Sequence, residues 1–443
     1  MSKPQSTARE LISFSLPLIL SGILQQLYSW ADAFIVGHAE GEMALAAVGA
    51  TTSITYFFIN TILGFTLGLS IMGAQHFGRK DTGTVQKILS GFLPVLAAVY
   101  VLLAALAIGF AKPILRLMDT PGDIFTLSLS YLQIIFAGIP LLACYNLFAA
   151  LLRAVGNTRA AFYAVLLSSL LNVALDVWFI VGLGWGVAGA AAATVISQAA
   201  MTVFMAAYAM RKYEYLRPRL RGWFDRSIFK QGLRFSVPPT VQNSITSFGN
   251  LILQNFMNGF GSVTVLAITT AYRVDSMMLL PIINLGAAIS SMAARAKGAQ
   301  DEGRIKSCFK TGLALMVAVS GVLTVIMFLF GAKFVAIFGV SGEALAIGRQ
   351  FFRDLAVFYV MFGVSMVLRS VLEGVGDLTC ASIIGVGMLA TRILFSYLLR
   401  PYLAERTIAI AEGIAWILML AEFAARTWYL HRKKQKAKQR ASV

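Results

Sequence analysis

Asp32 and Asp176 each interrupt an apolar run long enough to cross a lipid bilayer. A carboxylate at bilayer depth costs roughly 2.5–3.5 kcal/mol on insertion scales, so such a residue points to function unless a partner neutralises it. Neither run supplies a lysine or arginine close by. The neighbours are polar but neutral. Tyr28 precedes Asp32 by four residues and Gln25 lies a turn earlier, so the three share a helix face; Asn172 precedes Asp176 by the same four residues. Tyr131, Asn146 and Thr194 stand in other apolar runs. If these faces meet, two carboxylates are ringed by amide, hydroxyl and phenol groups, a pocket suited to a proton or a sodium ion. Burial and like-charge proximity disfavour ionising both acids at once, and a captured cation relieves the repulsion. Sodium wants several oxygens, which Asp32, Asn172, Asp176 and Thr194 can supply. A proton needs only one carboxylate and an acceptor. Residue types leave both ions open, and a competing reading makes the acids simple tethers between helices.

The elements that must position these groups are membrane spans. Of 443 residues, 58% are hydrophobic and only 13% charged, with a mean hydropathy of +0.76. An all-α polytopic membrane protein follows, with about twelve stretches near the ~20 residues that span the hydrocarbon core. The first, 11–36, is too long for a signal-peptide core and is expected to remain as a spanning helix. Pro17 falls in this helix, and Pro238 with Pro239 falls in the seventh; a proline inside a span frees a carbonyl and bends the helix, so these three are candidate hinges. Cys144, Cys308 and Cys380 are far apart and without metal-ligand spacing, and His38, His76 and His431 fall in connectors or the tail. No cofactor is expected.

The net charge of +17 is distributed by loop rather than gathered for nucleic acid. Connectors after even-numbered helices carry most of it, including Arg211, Lys212, Arg217, Arg219 and Arg221, and the tail adds Arg432, Lys433, Lys434, Lys436, Lys438 and Arg440. The positive-inside rule then places both termini in the cytoplasm, with the tail against anionic lipid headgroups of the bilayer.

An internal repeat organises the chain. Phe14-Ser-Leu-Pro17 recurs as Phe235-Ser-Val-Pro238, Ala74–Gly83 matches Ala294–Gly303, and Leu151–Asn157 matches Val371–Asp377, all at nearly the same offset. Each copy holds six helices, an even number, so the two insert with the same orientation as parallel repeats. The expected domains are an N-terminal lobe 1–210, an interlobe linker 211–231, a C-terminal lobe 232–426 and a basic cytoplasmic tail 427–443. Two parallel six-helix lobes suit a solute transporter that alternates access. The copies are not equivalent: Asn172 corresponds to Arg392, Asp176 to Ser396 and Asp32 to Leu253. Cation coupling is therefore expected in the first lobe. The seventh helix instead carries Gln242, Asn243, Asn250 and Gln254, neutral groups able to line a substrate cavity together with Gln25, Tyr131 and Asn146. Asp275 is expected to pair locally with Arg273; for Arg392, snorkelling or a bond to a carbonyl are options and its role stays open. Paired histidine ligands, a Ser/His arrangement and a P-loop are all missing, which argues against an enzyme.

At these residues the chain resembles the multidrug and toxic compound extrusion (MATE) family, most closely its DinF-like bacterial branch. FSLPLILSGILQQLYSWADAFIVGH is similar to the family's first helix, and LLNVALDVWFIVGLGWGVAGAAAATVISQ to its fifth and sixth. The resemblance implies a V-shaped bundle of two six-helix lobes in the bacterial inner or plasma membrane, working as a monomer. It implies a first-lobe cation site at Asp32, Asn172, Asp176 and Thr194, with Tyr28 beside it. It also implies export of small organic, often cationic and amphipathic molecules in exchange for H⁺ or Na⁺. The family branch with acids in its second-lobe cavity has no counterpart on the seventh helix here. An alternative within the same superfamily is a flippase for a lipid-linked saccharide, which needs a basic cavity that only Arg392 hints at.

Overall fold

A computed structural model describes residues 6–219 and 222–441; Arg221 and the side chains of Lys434, Lys438 and Arg440 lie outside the described residues. All regular structure among these residues is helical. Lipid offers the backbone no hydrogen-bond partners, so each span must satisfy its own amides and carbonyls, as a helix does. The helices are α1 (Thr7–Glu40), α2 (Glu42–Gly78), α3 (Thr82–Leu117), α4 (Gly122–Ala154), α5 (Arg159–Asp176), α6 (Gly186–Lys212), α7 (Arg226–Asn258), α8 (Ser262–Met278), α9 (Leu280–Gly298), α10 (Glu302–Ile337), α11 (Gly342–Ala356), α12 (Tyr359–Val375), α13 (Leu378–Leu403) and α14 (Thr407–Ala441).

Two pairs are halves of broken spans, so the described residues provide twelve crossings. The apolar runs 263–292 and 349–371 are each interrupted. Pro281 stands at the first break: it has no N–H for the Met277 carbonyl and its ring crowds the preceding turn, and α8 gives way to α9 at Leu279. The second break bends α11 against α12 by 49°. No proline or glycine stands at Val357–Phe358, so tertiary packing sets this bend: the Phe358 ring seats on Gly413 of α14, where an added Cβ would stand 2.3 Å from it. Hydropathy and length alone select nine spans, ten with the bent pair. That test merges α13 with α14 and misses α7, whose amides lower its hydropathy.

Contacts gather the chain into two compact units, a first of Leu16–Asn243 and a second of Met1–Ser15 with Ser244–Val443. In the first unit α4 is central, packed against α2, α3 and α6, with Phe92, Phe136 and Leu132 in the core. In the second, α9 packs on α12, α13 on α14, and α10 on both α11 and α12. The unit boundaries fall inside helices. The start of α1 belongs to the second unit, where Glu10 accepts from Arg304 at 2.7 Å and the Thr7 and Ser307 hydroxyls meet at 2.9 Å. The start of α7 belongs to the first unit, where Gly68 of α2 lets the backbones touch: a Cβ there would lie 2.4 Å from the carbonyl oxygen of Phe235. The 211–231 connector is itself docked on the first unit, with Leu216 fully buried and Gln86 donating to the Arg217 carbonyl at 2.8 Å.

Candidate functional site

Asp32, Asn172, Asp176 and Thr194 do converge inside the first unit. α5 keeps α-helical spacing up to Asp176, so Asn172 and Asp176 are stacked one turn apart. The helix then widens into a π-helical turn, Val177–Gly182, an irregularity that recurs at functional sites. Gly184 and Gly186 follow with φ of 66° and 56°, left-handed values that permit the tight reversal into α6. Small residues then let α6 lie close: Gly189, Ala190, Ala191 and Ala193 are all buried. This reversal brings Thr194 opposite Asn172, whose Nδ2 donates to Thr194 Oγ1 at 3.5 Å.

Asp32 reaches the same place from α1. Its carboxyl group and that of Asp176 come within hydrogen-bonding reach of each other, Asp176 being 0% exposed. Two ionised carboxylates cannot hydrogen-bond; a proton placed between them can make the bond. Donors are otherwise lacking. Asp32 Oδ1, Asn172 Oδ1 and both oxygens of Asp176 are buried without any hydrogen-bond partner. Buried acceptors in this state are rare, because each forfeits the bonds it made to water. The site is thus rich in oxygen acceptors and short of positive charge. Tyr28 and Tyr131 lie within electrostatic range of both acids and of Tyr56.

The remaining predicted residues are placed less centrally. Gln25 is exposed on α1. Asn146 is buried but spends its amide on the Leu142 carbonyl of its own helix at 2.8 Å. The four amides of α7 do not act as one set. Gln242 is buried and Asn243 donates to the Asn60 carbonyl at 3.0 Å, both within the first unit. Asn250 is exposed and Gln254 bonds Asn258 at 3.1 Å, both within the second. Pro17, Pro238 and Pro239 lie inside unbroken helices, and the Ser21 hydroxyl donates to the Pro17 carbonyl at 2.7 Å.

One expectation is overturned and one open role is filled. Asp275 does not pair with Arg273; it is 3% exposed and accepts from the Tyr359 hydroxyl, while Arg273 faces outward. Arg392 neither snorkels nor binds a carbonyl: it pairs with Glu412 at 3.0 Å and donates to Tyr272 Oη at 2.6 Å. A buried carboxylate attracts a guanidinium more strongly than a dipole does. Sequence reading passed over Glu412 and Tyr56. Glu412 carried the same signal as Asp32, an acid within an apolar run; Tyr56, a phenol without a charged residue near it in sequence, carried almost none.

Comparison with known proteins agrees with this architecture. The MatE family model matches residues 17–178 and 238–398, one match in each repeat. "Probable multidrug resistance protein YoeA" of Bacillus subtilis is 28% identical over 393 residues, 87% of this chain and 85% of its own. "Probable multidrug resistance protein NorM" of Thermotoga maritima is 24% identical over 429 residues, 95% of this chain and 90% of its own. Among solved structures, one described as "Crystal structure of MATE in the bent conformation" superposes with a TM-score of 0.90 at 24% identity, covering 98% of each chain. With twelve spans in two repeats and a family match in both, this multi-pass membrane protein belongs to the MatE family of transporters.

Proposed function

We propose that the protein is a secondary active antiporter that exports small organic molecules, cationic and amphipathic ones above all, in exchange for H⁺ or Na⁺ bound at Asp32 and Asp176. The observation that carries this reading is the set of four buried, unpartnered acceptor oxygens on Asp32, Asn172 and Asp176. A proton shared by the two carboxyls satisfies the pair. Sodium as the exchanged ion would take oxygens from Asp32, Asn172, Asp176 and Thr194, and the orphaned atoms fit that role. Among the described residues no three His, Cys, Asp or Glu side chains converge, so any sodium site must use amide and hydroxyl oxygens as well.

The names of the relatives support drug-like substrates for them, and the reading extends this to the present chain. Antiport then requires only that ion and substrate prefer different conformations. Charge bias between connectors supports a cytoplasmic side for both termini. A flippase for a lipid-linked saccharide has less support, because Arg392, the cation it would need, is taken by Glu412. The deciding experiment is uptake of organic cations into proteoliposomes with pH and sodium gradients imposed separately. Accumulation driven by one gradient supports antiport and names the ion; equilibration without accumulation under either gradient refutes it.

A further inference from the structure

The second unit holds a buried ionic constellation to which the proposed antiport assigns no task. Asp275 of α8, Tyr359 of α12 and Glu412 of α14 are each under 9% exposed, and Tyr272 of α8 and Arg392 of α13 join them. The Tyr359 hydroxyl donates to Asp275. The Tyr272 hydroxyl donates to Glu412 Oε2 at 3.1 Å, and Arg392 pairs with Glu412 at 3.0 Å. The charges do not balance. Two carboxylates face one guanidinium, and the groups acting electrostatically on Asp275 are Glu412, Tyr359 and Arg392. Arg392 is committed to Glu412, so Asp275 has a phenol and no cation. On the packed neighbours, α11 turns Phe351 toward Tyr272 and keeps Arg349 and Arg353 exposed, with Asp354 held by Arg406. Further along α12, Arg369 is paired with Glu373. The charges of α9 and α10 lie toward their ends. An uncompensated carboxylate within a spanning bundle is neutralised rather than left ionised.

Position makes this more than a structural ion pair. Asp275 sits in the last turn of α8, just before the break at Leu279, and Tyr359 is the first residue of α12, just after the 49° bend. Their hydrogen bond therefore joins the two broken spans at their breaks. A phenol bonded to a carboxylate is held more tightly than one bonded to a neutral acid, so a proton arriving at Asp275 loosens that joint. Arg392 is also the repeat counterpart of Asn172 in the first-unit site.

We propose that this constellation is a second proton-binding site, holding one exchangeable proton on Asp275 and Glu412, with Arg392 as built-in counter-ion and the Tyr359 bond as the joint it controls. Asp275 Oδ1 and Glu412 Oε2 take these bonds, whereas Asp275 Oδ2 and Glu412 Oε1 take none, leaving each acid one oxygen for the proton.

Infrared difference spectroscopy of the full-length protein in liposomes, titrated near neutral pH, tests this. Exposed carboxyls titrate near about 4 and contribute little there. The background is the Asp32→Asn/Asp176→Asn variant, which silences the first unit and makes the readout independent of transport. A carboxylic acid band that titrates in this background, and whose midpoint moves in Tyr359→Phe, is the expected result. Loss of the band on adding Asp275→Asn and Glu412→Gln to a variant that still elutes as a folded particle completes the assignment. Absence of any titrating band in the Asp32→Asn/Asp176→Asn protein, or a midpoint unmoved by Tyr359→Phe, overturns it. Failure here leaves antiport by the first unit untouched, since that is read from gradient-driven uptake.

Discussion

The two units both bury carboxylates within the membrane and compensate them differently. In the first, Asp32 and Asp176 face each other among acceptor oxygens that lack donors. In the second, Glu412 has a guanidinium at 3.0 Å and a phenol at 3.1 Å. One repeat supplies its countercharge from its own chain, at the position where the other has Asn172. The contrast teaches how a duplicated bundle can treat its acids differently: the first unit leaves both without a tethered cation, whereas the second ties Glu412 to Arg392 and gives Asp275 a phenol alone.

The largest effect expected from breaking this contrast is at Asp32. Asp32→Asn keeps the side-chain volume and removes the charge, so gradient-driven uptake into vesicles should be lost while membrane insertion persists; wild-type accumulation would sink the coupling role. In the second unit the loss should be structural. Arg392→Met leaves Glu412 buried without its partner and should cost about 3–5 kcal/mol of stability, read by denaturant unfolding in detergent. Arg392→Met/Glu412→Leu should recover most of it, because an apolar pair replaces an ion pair at little net cost. A single variant as stable as wild type would mean that the pair is not the compensated site it resembles.

The backbone contact at Gly68 gives a smaller effect. Gly68→Ala forces a methyl group to within 2.4 Å of Phe235 and Ser236 and should destabilise by roughly 1–3 kcal/mol, measured as a lower unfolding midpoint. Its repeat counterpart is already Ala288, so the close approach is a property of one unit. The smallest effect belongs to a feature the units share. Asp81 and Asp301 accept from Thr84 N–H at 3.0 Å and Arg304 N–H at 2.8 Å, capping α3 and α10. Replacing either by Ala should cost about 1 kcal/mol, and unequal losses would show that the repeats have diverged even here. Partial burial pushes the Asp81 carboxyl up, but the Thr84 donors and His76 outweigh it and hold it below its ordinary range. A depressed folded-state value means that the cap contributes fully above about pH 4 and fades as the pH falls through the folded value. Thermal unfolding of wild type and Asp81→Ala should therefore converge in acid.

Much of this was legible in the chain. Hydropathy exposed the spans, motifs matched at a nearly constant offset exposed the repeat, and the i,i+4 spacings at Tyr28/Asp32 and Asn172/Asp176 exposed each half of the first-unit site. Less was legible where the outcome depends on a second helix. Arg392 and Glu412 stand on different helices, and no periodicity within either run says that they touch. Asp275 had a basic residue two positions away, yet i,i+2 side chains point to different sides of a helix, and its partner proved to be Tyr359. The α7 amides share a helix but not a unit, because the division falls between Asn243 and Ser244.

By itself the sequence determined the all-helical membrane class, the duplication and the presence of two unneutralised acids. These follow from the cost of placing polar backbone or charge in hydrocarbon, a local quantity that composition and spacing record. The tertiary structure alone decided which faces meet: that Asp32 finds Asp176, that Arg392 finds Glu412, and that α11 and α12 bend where Phe358 settles on Gly413. Helical periodicity assigns a side chain to one face of its own helix, and only packing of that face against another chooses its partner.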